Sequence, residues 1–178
     1  MSASELLPVA AVLTGFATIR LAELRIHRAN LDFILVVGGE EIVSRAMQLY
    51  YRWHLIFLAP ALAEHFFGHR QAALLAQFVG LGMIITGVLL RLWVINTLGR
   101  FWTMRCVFVP GTPRVISGPF RFVAHPEYLA RALEACGLCL FLGAGITLAV
   151  YVVVSANLLI KIVKNETNQI RQLSHGTL

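Results

Sequence analysis

Charged residues are scarce in this chain of 178 residues. Only 13% of its residues are Asp, Glu, Lys or Arg, whereas soluble domains usually carry about 25%. At the same time 58% of the residues are hydrophobic, and apolar windows of roughly 20 residues recur along the sequence. This combination excludes an ordinary soluble domain and predicts a protein that crosses a membrane several times.

The sequence also lacks the strict polar–apolar alternation that the strands of a membrane barrel require, so the predicted spans are helices. It contains no linker, no internal repeat and no N-terminal segment with the basic start of a cleavable signal peptide. We therefore expect an all-α integral membrane protein with one domain over residues 1–178.

Five spans are predicted, and the basic residues between them indicate the topology. Lys and Arg are absent from the N-terminal tail and from the turn between the last two spans, but they recur in the alternate connections. The positive-inside rule then places the N-terminus outside and the C-terminus in the cytoplasm. The predicted spans are approximately residues 6–24, 42–67, 72–97, 127–142 and 146–173.

The net charge of +6 does not indicate a nucleic-acid-binding protein, because the basic residues are scattered among the membrane connections. The odd number of cysteines argues against a disulfide framework. Cys136 and Cys139 lie in an apolar helical pattern, typical of small core residues rather than of a metal or redox site. His65 and His69 could suggest zinc, but no carboxylate-rich shell accompanies them, so no metal site is expected.

Some local features predict helix boundaries and contacts. Arg20 and Glu23 are three residues apart and could pair, either inside the protein or as a snorkelling pair at the end of a helix. The apolar stretch 31–37 is too short to cross and is expected to lie in the interface or to re-enter. Pro60 predicts a kink in the second span. Gly80, Gly82 and Gly87 allow close helix packing in the third.

Polar residues inside predicted spans are candidates for function, because they are costly in lipid and usually face the interior of a bundle. His54 follows Tyr50 by four residues, so the two share a helix face. Glu134 and Asn157 lie well inside the last two spans. Hydrogen bonding between helices is the alternative interpretation for His54 and Asn157.

The stretch 114–128 is the least membrane-like part of the second half. Ser117-Gly118-Pro119 is a turn signal, and Pro126 disfavours a helical conformation at the preceding His125. Pro126 then suits the first turn of a helix, whose free N–H groups can bind a ligand. The stretch is either a ligand site at the membrane boundary or an ordinary interfacial loop.

Residues 118–129 read G-P-F-R-F-V-A-H-P-E-Y-L, and after two spans the chain reads K-I-V-K-N-E at 161–166. This combination resembles the isoprenylcysteine carboxyl methyltransferase family, whose pattern is roughly G-P-Y-R-x-x-R-H-P-x-Y-x-G followed by a late R-x-x-x-E-E. L-G-R-F-W at 98–102 is also similar. The departures from the pattern are Phe120, Ala124, Ala130, Lys161 in place of arginine, and Asn165 in place of the first acid.

The first half is similar to one subgroup, the bacterial enzymes that O-methylate alkylresorcinols and alkylpyrones. The similar residues are R-L-A-E-L at 20–24, Asn30, G-G-E-E at 38–41, and the pair Tyr50 and His54; A-L-E at 132–134 and S-A-N-L-L at 155–159 also match.

The resemblance implies an integral membrane enzyme that uses S-adenosylmethionine, releases S-adenosylhomocysteine and methylates a lipophilic acceptor entering from the bilayer. A cofactor pocket on the cytoplasmic side, and a location in the inner membrane of a prokaryotic cell, follow from it and from the topology. The implied cofactor-binding residues are Trp102, Arg121, His125, Tyr128, Asn165 and Glu166, and the residues assigned to the acceptor are His54, Glu134, Asn157 and Lys161.

Two other functions stay open at this point. Arg91, Glu134 and Asn157 could line the path of a small transporter or channel, although the absence of an inverted repeat argues against one. The departures at Lys161 and Asn165 also allow a catalytically inactive relative that acts as a binding protein.

Overall fold

Helices make up most of the chain in the computed structural model. The structure describes residues 3–41, 45–68, 72–105, 107–113 and 115–175, without the side chains of 3–5, 108 and 166–175. The helices are α1 (Ala3–Val36), α2 (Arg45–Ile56), α3 (Leu58–Phe67), α4 (Leu74–Leu98), α5 (Pro126–Leu142) and α6 (Gly145–His175), with 3₁₀ turns at Gly99–Phe101 and Gly118–Arg121. Two two-residue strands, β1 (Glu40–Glu41) and β2 (Val107–Phe108), complete the list.

The chain forms two compact units. The first comprises residues 1–42 and 95–116, and the second comprises 43–94 and 117–178. In the first unit β1 pairs antiparallel with β2, with Glu40 opposite Phe108 and Glu41 opposite Val107. The Gly38 backbone, at φ +82°, ends α1 and turns the chain into β1.

Helix α1 is longer than the sequence analysis predicts. It continues to Val36, so the predicted end of the first span at Leu24 was wrong, and so was the interfacial or re-entrant stretch at 31–37 over most of its length. The basic residues in this stretch do not break a helix, and no Gly or Pro follows Pro8 and Gly15 before Gly38. The predicted pair of Arg20 and Glu23 is confirmed at 2.8 Å, and it lies in the middle of the helix rather than at its end.

A buried polar face on α1 holds the following segment in the first unit. Glu23, His27 and Asn30 are nearly inaccessible and recur at helical spacing. The Asn30 side chain donates to the carbonyl oxygens of Gly99 (3.0 Å) and Trp102 (2.8 Å). The backbone N–H of Met104 donates to Nδ1 of His27 at 3.2 Å.

In the second unit the predicted span 42–67 consists of two helices, α2 and α3, which meet at Phe57. Pro60 has no N–H to donate to the Ile56 carbonyl, which interrupts the hydrogen-bond ladder at this point. The predicted kink is therefore confirmed. His69 and Arg70, in the loop that follows, lie outside the described residues.

Helices α4 and α5 pack closely at glycines. A Cβ atom at Gly80 would lie 2.5 Å from the Gly137 carbonyl oxygen, and one at Gly87 would lie 2.7 Å from Cγ of Glu134. The prediction of close packing is confirmed for these two glycines. It was wrong for Gly82, where a Cβ would meet no atom within 4 Å.

A tight turn joins α5 to α6, as predicted. Gly143 adopts φ +73°, and the N–H of Ala144 donates to the Cys139 carbonyl oxygen. The end of α3 supports this turn from the side. The Glu64 carboxylate accepts hydrogen bonds from the backbone N–H groups of Ile146 and Thr147, and Nδ1 of His65 lies 2.7 Å from the Leu142 carbonyl oxygen.

Three helices of the described chain are long and apolar enough to cross a membrane. These segments are Leu6–Val36, Leu74–Phe101 and Gly145–Asn165. Many large apolar side chains on them are exposed, among them Leu21, Leu89 and Val153, as expected for surfaces that contact lipid. The count of five spans and their orientation stay predictions. Cys136 and Cys139 carry free thiols on α5, and Cys106 lies outside the described residues.

Candidate functional site

The turn before α5 has the geometry that the sequence predicts. Gly118, at φ +60°, opens the 3₁₀ turn. His125 precedes α5 with φ −132° and ψ 69°, outside the helical region, and Pro126 is the first helical residue. Proline has no backbone N–H, and the first residue of a helix needs none for the hydrogen bonds within the helix. Pro126 therefore fits this position. The start of α5 is thus set by the His125-Pro126 pair.

His125 and Tyr128 form a stacked pair of rings on the first turn of α5. Their centroids are 5.7 Å apart, with an angle of 28° between the planes. Tyr128 is almost completely buried, and its other side meets the edge of Tyr50 on α2 at 5.5 Å. Tyr50, Tyr128 and Ala46 share a core with Ile162 of α6. The start of α5 therefore packs against both α2 and α6.

The late polar residues follow this core on α6. Lys161 and Asn165 flank Ile162 along the helix and are exposed. Glu166 comes one turn after Ile162, and its side chain lies outside the described residues. The structure thus brings the backbone of the late motif to within a helical turn of the core that contains Tyr128.

Two further residues assigned to the cofactor lie elsewhere. Arg121 is exposed, with its guanidinium 6.0 Å from the Phe122 ring, and that ring in turn meets Trp93 of α4. Trp102 belongs to the first unit, where it is buried and its carbonyl oxygen accepts from Asn30.

Glu134 lies in a buried network of charges between α4 and α5. Its Oε1 accepts a hydrogen bond of 3.0 Å from Nε of Arg91, and the two residues are 0% and 1% exposed. Arg91 also approaches Glu127 at 3.8 Å, and Glu127 accepts from Arg131 at 2.7 Å. The Arg131 guanidinium lies 4.6 Å from the centre of the Tyr51 ring. Two acids thus neutralise two arginines inside the second unit.

His54 lies in a separate polar cluster between α2 and α6. Its Nδ1 is 3.0 Å from the hydroxyl of Tyr151. Trp53 stacks on Tyr151 and donates from Nε1 to Oγ of Ser155 at 3.2 Å. His54, Tyr151 and Ser155 are all nearly inaccessible to solvent.

Asn157 is not part of this cluster. It is exposed and donates to the Val153 carbonyl oxygen of its own helix. The four residues assigned to the acceptor therefore occupy different places, with Glu134 among the charges, His54 beside Tyr151, and Asn157 and Lys161 on exposed parts of α6.

The sequence analysis did not identify Tyr151 or Arg131. Both are polar groups within apolar helices, a signal that was used for His54 and Glu134 and that also applies to them. No group of three or more His, Cys, Asp or Glu side chains that could hold a metal occurs among the residues that the structure describes.

The fold and the site together define an all-α integral membrane protein with a His-Pro turn at the start of α5 and a late polar motif on α6. The sequence model of the isoprenylcysteine carboxyl methyltransferase family matches residues 80–172, slightly more than half of the chain. The chain belongs to this family, and its general function is that of a membrane methyltransferase.

Among curated proteins, the uncharacterized protein YpbQ of Bacillus subtilis (strain 168) is 25% identical over 156 residues, which cover 87% of this chain and 92% of the relative. No solved structure matches the chain. The family match runs through residues of both compact units and includes Arg91, Trp102, His125, Tyr128, Glu134 and Glu166.

Proposed function

We propose that the chain is an S-adenosylmethionine-dependent O-methyltransferase of the membrane. Its acceptor is lipophilic and carries either a phenol- or pyrone-type hydroxyl or an isoprenylcysteine-type carboxylate. One observation carries the proposal. His125 and Tyr128 stack on each other in the family-matched segment, and Tyr128 packs against the helix that bears Glu166.

The residues at the start of α5 fit the cofactor chemically. The partly exposed His125 ring can pack on an adenine ring or attract a sulfonium cation with the face turned away from Tyr128, whose buried ring supports it. The first N–H groups of α5 suit the carboxylate of the cofactor's amino-acid part, since they lie at the positive end of the helix dipole. Asn165 and Glu166 would hold its ribose hydroxyls or amino group. Arg121 completes the proposed set in the second unit, and Trp102 is assigned to the cofactor by the resemblance alone.

When bound, the cofactor supplies a methyl group on a sulfonium, and transfer of this group needs an in-line acceptor in a dry site rather than a metal. The residues of the chain bind the cofactor and the acceptor and orient them relative to each other. His54, Glu134, Asn157 and Lys161 are the residues assigned to the acceptor, and of these His54 and Glu134 are buried within the second unit.

The apolar surfaces of the helices support a lipophilic acceptor. Exposed apolar side chains along α4 and α6 face the bilayer, so an acceptor with a long apolar chain can approach from within it. We place the protein in a prokaryotic cell membrane with the cofactor site on the cytoplasmic side. The Bacillus relative and the distribution of basic residues support this placement. We also propose that residues 1–178 work as one methyltransferase domain.

Calorimetric titration of the detergent-purified protein with S-adenosylhomocysteine tests the proposal. We expect saturable binding by the wild type and a loss of about fivefold to thirtyfold in His125→Ala and Tyr128→Ala, because the aromatic packing that each variant removes is worth about 1–2 kcal/mol. Glu166→Ala should also lose binding. Tyr128→Phe should keep it, because the ring remains.

Asp32→Ala is the matched control for Glu166→Ala, since Asp32 is an exposed acid on α1. It should bind like the wild type. An absence of binding by well-folded wild-type protein would contradict the proposal and favour a transporter or channel. Binding without turnover over a panel of long-chain phenols, pyrones and prenylcysteines would indicate an inactive relative.

A further inference from the structure

A cluster of buried polar side chains lies between α2 and α6 in the second unit. It consists of Tyr50, His54, Tyr151 and Ser155, and each of these residues is at most 5% exposed. Polar groups buried in a lipid-embedded bundle cost free energy unless they are hydrogen-bonded, so such a cluster calls for a functional or structural reason.

The position of His54 is fixed by rings on three sides. The ring centroids of Phe57, Tyr151 and Tyr50 lie 5.4, 5.7 and 6.0 Å from that of His54. Its Nδ1 is 3.0 Å from the Tyr151 hydroxyl. A histidine held in this way has a defined orientation and, through the hydrogen bond at Nδ1, a defined tautomer.

The direction of the hydrogen bond between Tyr151 and His54 follows from acidity. A phenol is a stronger hydrogen-bond donor than a neutral imidazole N–H, and an imidazole nitrogen is a better acceptor than a phenol oxygen. The Tyr151 O–H therefore donates to Nδ1. The proton of the neutral His54 ring then resides on Nε2, which makes His54 a hydrogen-bond donor at that nitrogen.

The Tyr151 hydroxyl can hold this direction because its oxygen has other neighbours. It interacts with the hydroxyl of Ser155, whose oxygen accepts from the indole N–H of Trp53. Trp53 also stacks on the Tyr151 ring, with centroids 6.4 Å apart. Ser155 and Trp53 thus hold the Tyr151 phenol that orients His54.

Tyr50 offers a second buried donor. Its hydroxyl is inaccessible and interacts with the hydroxyl of Tyr151, but within the described residues no partner lies at ordinary hydrogen-bond distance. Its ring connects the two parts of the site, since it meets His54 on one side and Tyr128 on the other. The cluster is therefore continuous with the ring pair to which we assign the cofactor.

We propose that Tyr151 holds His54 as a neutral hydrogen-bond donor, and that His54 and Tyr50 bind the oxygen of a phenol- or enol-type methyl acceptor. Tyr151 is then a positioning residue, while His54 and Tyr50 touch the substrate. This inference rests on the proposed function and narrows its acceptor.

The charges in the same unit support a hydroxyl rather than a carboxylate. A carboxylate is bound best by an arginine fork. The two buried arginines of this unit, Arg91 and Arg131, are already engaged by Glu134 and Glu127. The cluster around His54 offers only neutral donors, which suit the oxygen of a phenolate or enolate that has lost its proton to water and whose negative charge is delocalised.

The tautomer of His54 can be measured without cofactor or acceptor. In ¹⁵N-histidine NMR of the detergent-purified protein, the His54 ring should be neutral at pH 7 and carry its proton on Nε2. Tyr151→Phe should shift the Nδ1 signal and leave Nε2 less affected. A proton on Nδ1, or a charged ring, in the wild type would overturn the role given to Tyr151.

Substitution of His54 distinguishes a donor from a base. The amide of Gln can place an N–H near the position of Nε2, but it cannot take up a proton. With a long-chain phenol as acceptor, His54→Gln should retain turnover within about tenfold, whereas His54→Phe should lose about 10²–10³-fold. Equal, large losses in both variants would contradict the donor role.

Two matched tyrosine variants complete the experiment. Tyr50→Phe should raise KM for the phenol, while Tyr51→Phe, on the same helix, should leave it unchanged. A carboxylic acid with the same alkyl chain should be a poor acceptor, and efficient methylation of it would refute the acceptor class. S-adenosylhomocysteine binding is measured in every variant. Its retention assigns a loss of turnover to the acceptor site, whereas its absence in the wild type contradicts the proposed function instead.

Discussion

Arg91 on α4 and Glu134 on α5 form a hydrogen-bonded ion pair of 3.0 Å that is almost completely buried. The pair depends on the close approach of the two helices, because a Cβ atom at Gly87 would lie 2.7 Å from Cγ of Glu134. Packing and charge are thus coupled at this interface, and variants can separate the two effects.

Loss of one partner of this pair should destabilise the protein strongly. Glu134→Gln leaves Arg91 with less compensation in a buried site, which typically costs about 3–5 kcal/mol. We expect a clear drop in the thermal unfolding midpoint of the detergent-purified protein. If Glu134 also contacts the acceptor, turnover per folded molecule should fall further than the yield of folded protein.

The control for this variant is Glu41→Gln, because the pair of Glu41 and Arg105 is largely exposed. Its loss should cost less than about 1 kcal/mol. The double variant Arg91→Met with Glu134→Leu should recover much of the stability, since an apolar replacement of a buried pair is often neutral. A Glu134→Gln protein with the thermal unfolding midpoint of the wild type would show that the ion pair does not contribute to stability.

Gly80→Ala should destabilise the contact between α4 and α5. The added methyl group would lie 2.5 Å from the Gly137 carbonyl oxygen, so the helices must separate. Gly82→Ala is the matched control in the same helix, because its methyl group meets nothing within 4 Å. It should be neutral or stabilising by up to about 1 kcal/mol, through helix propensity. Thermal unfolding of both variants gives the comparison, and the reverse order would refute the helix packing.

Glu64→Ala should loosen the start of α6. The carboxylate accepts from two backbone N–H groups and from the Thr147 hydroxyl, and loss of such a cap typically costs about 0.5–2 kcal/mol. Hydrogen exchange should increase at Ile146 and Thr147 while the middle of α6 stays protected. Glu40→Ala, which replaces an exposed acid of β1, is the control. Unchanged exchange at both residues would contradict the capping role.

Asn30→Asp should release the segment 99–102 from α1. The Asn30 amide donates to two carbonyl oxygens, whereas an ionised aspartate only accepts and would face both oxygens without a proton to share. We expect faster hydrogen exchange across residues 99–105 and a changed environment for the Trp102 indole in fluorescence. Asp32→Asn, two residues further on the exposed side, should change neither. If the Asn30→Asp protein behaves like the wild type in both measurements, the hydrogen bonds of Asn30 do not hold the segment 99–102 against α1.

Local signals in the sequence predicted local structure well. The His125-Pro126 start of α5, the Pro60 kink and the glycine turn at Gly143 each depend on the backbone preferences of one or two residues. These preferences act without tertiary context, so they can be identified in a single sequence.

Features that depend on distant partners could not be predicted in the same way. Helix α1 continues beyond Leu24 because its polar residues are buried against residues some 70 positions later, as the bonds of Asn30 show. Tyr151 acquires its role from His54, 97 positions earlier. A polar group within an apolar helix makes Tyr151 a candidate, but the local pattern does not show that His54 is its partner. Asn157 was assigned to the acceptor because it is a polar residue in an apolar span. Its side chain instead donates a hydrogen bond to its own helix.

The support that α3 gives to the last two helices also has a consequence for biosynthesis. Glu64 and His65 are synthesised well before the residues of α5 and α6 whose backbone groups they contact. Until α3 is in place, the Leu142 carbonyl and the first N–H groups of α6 lack these side-chain partners. Because α3 is synthesised first, the side chains of Glu64 and His65 are available to form these hydrogen bonds as soon as the end of α5 and the start of α6 are made.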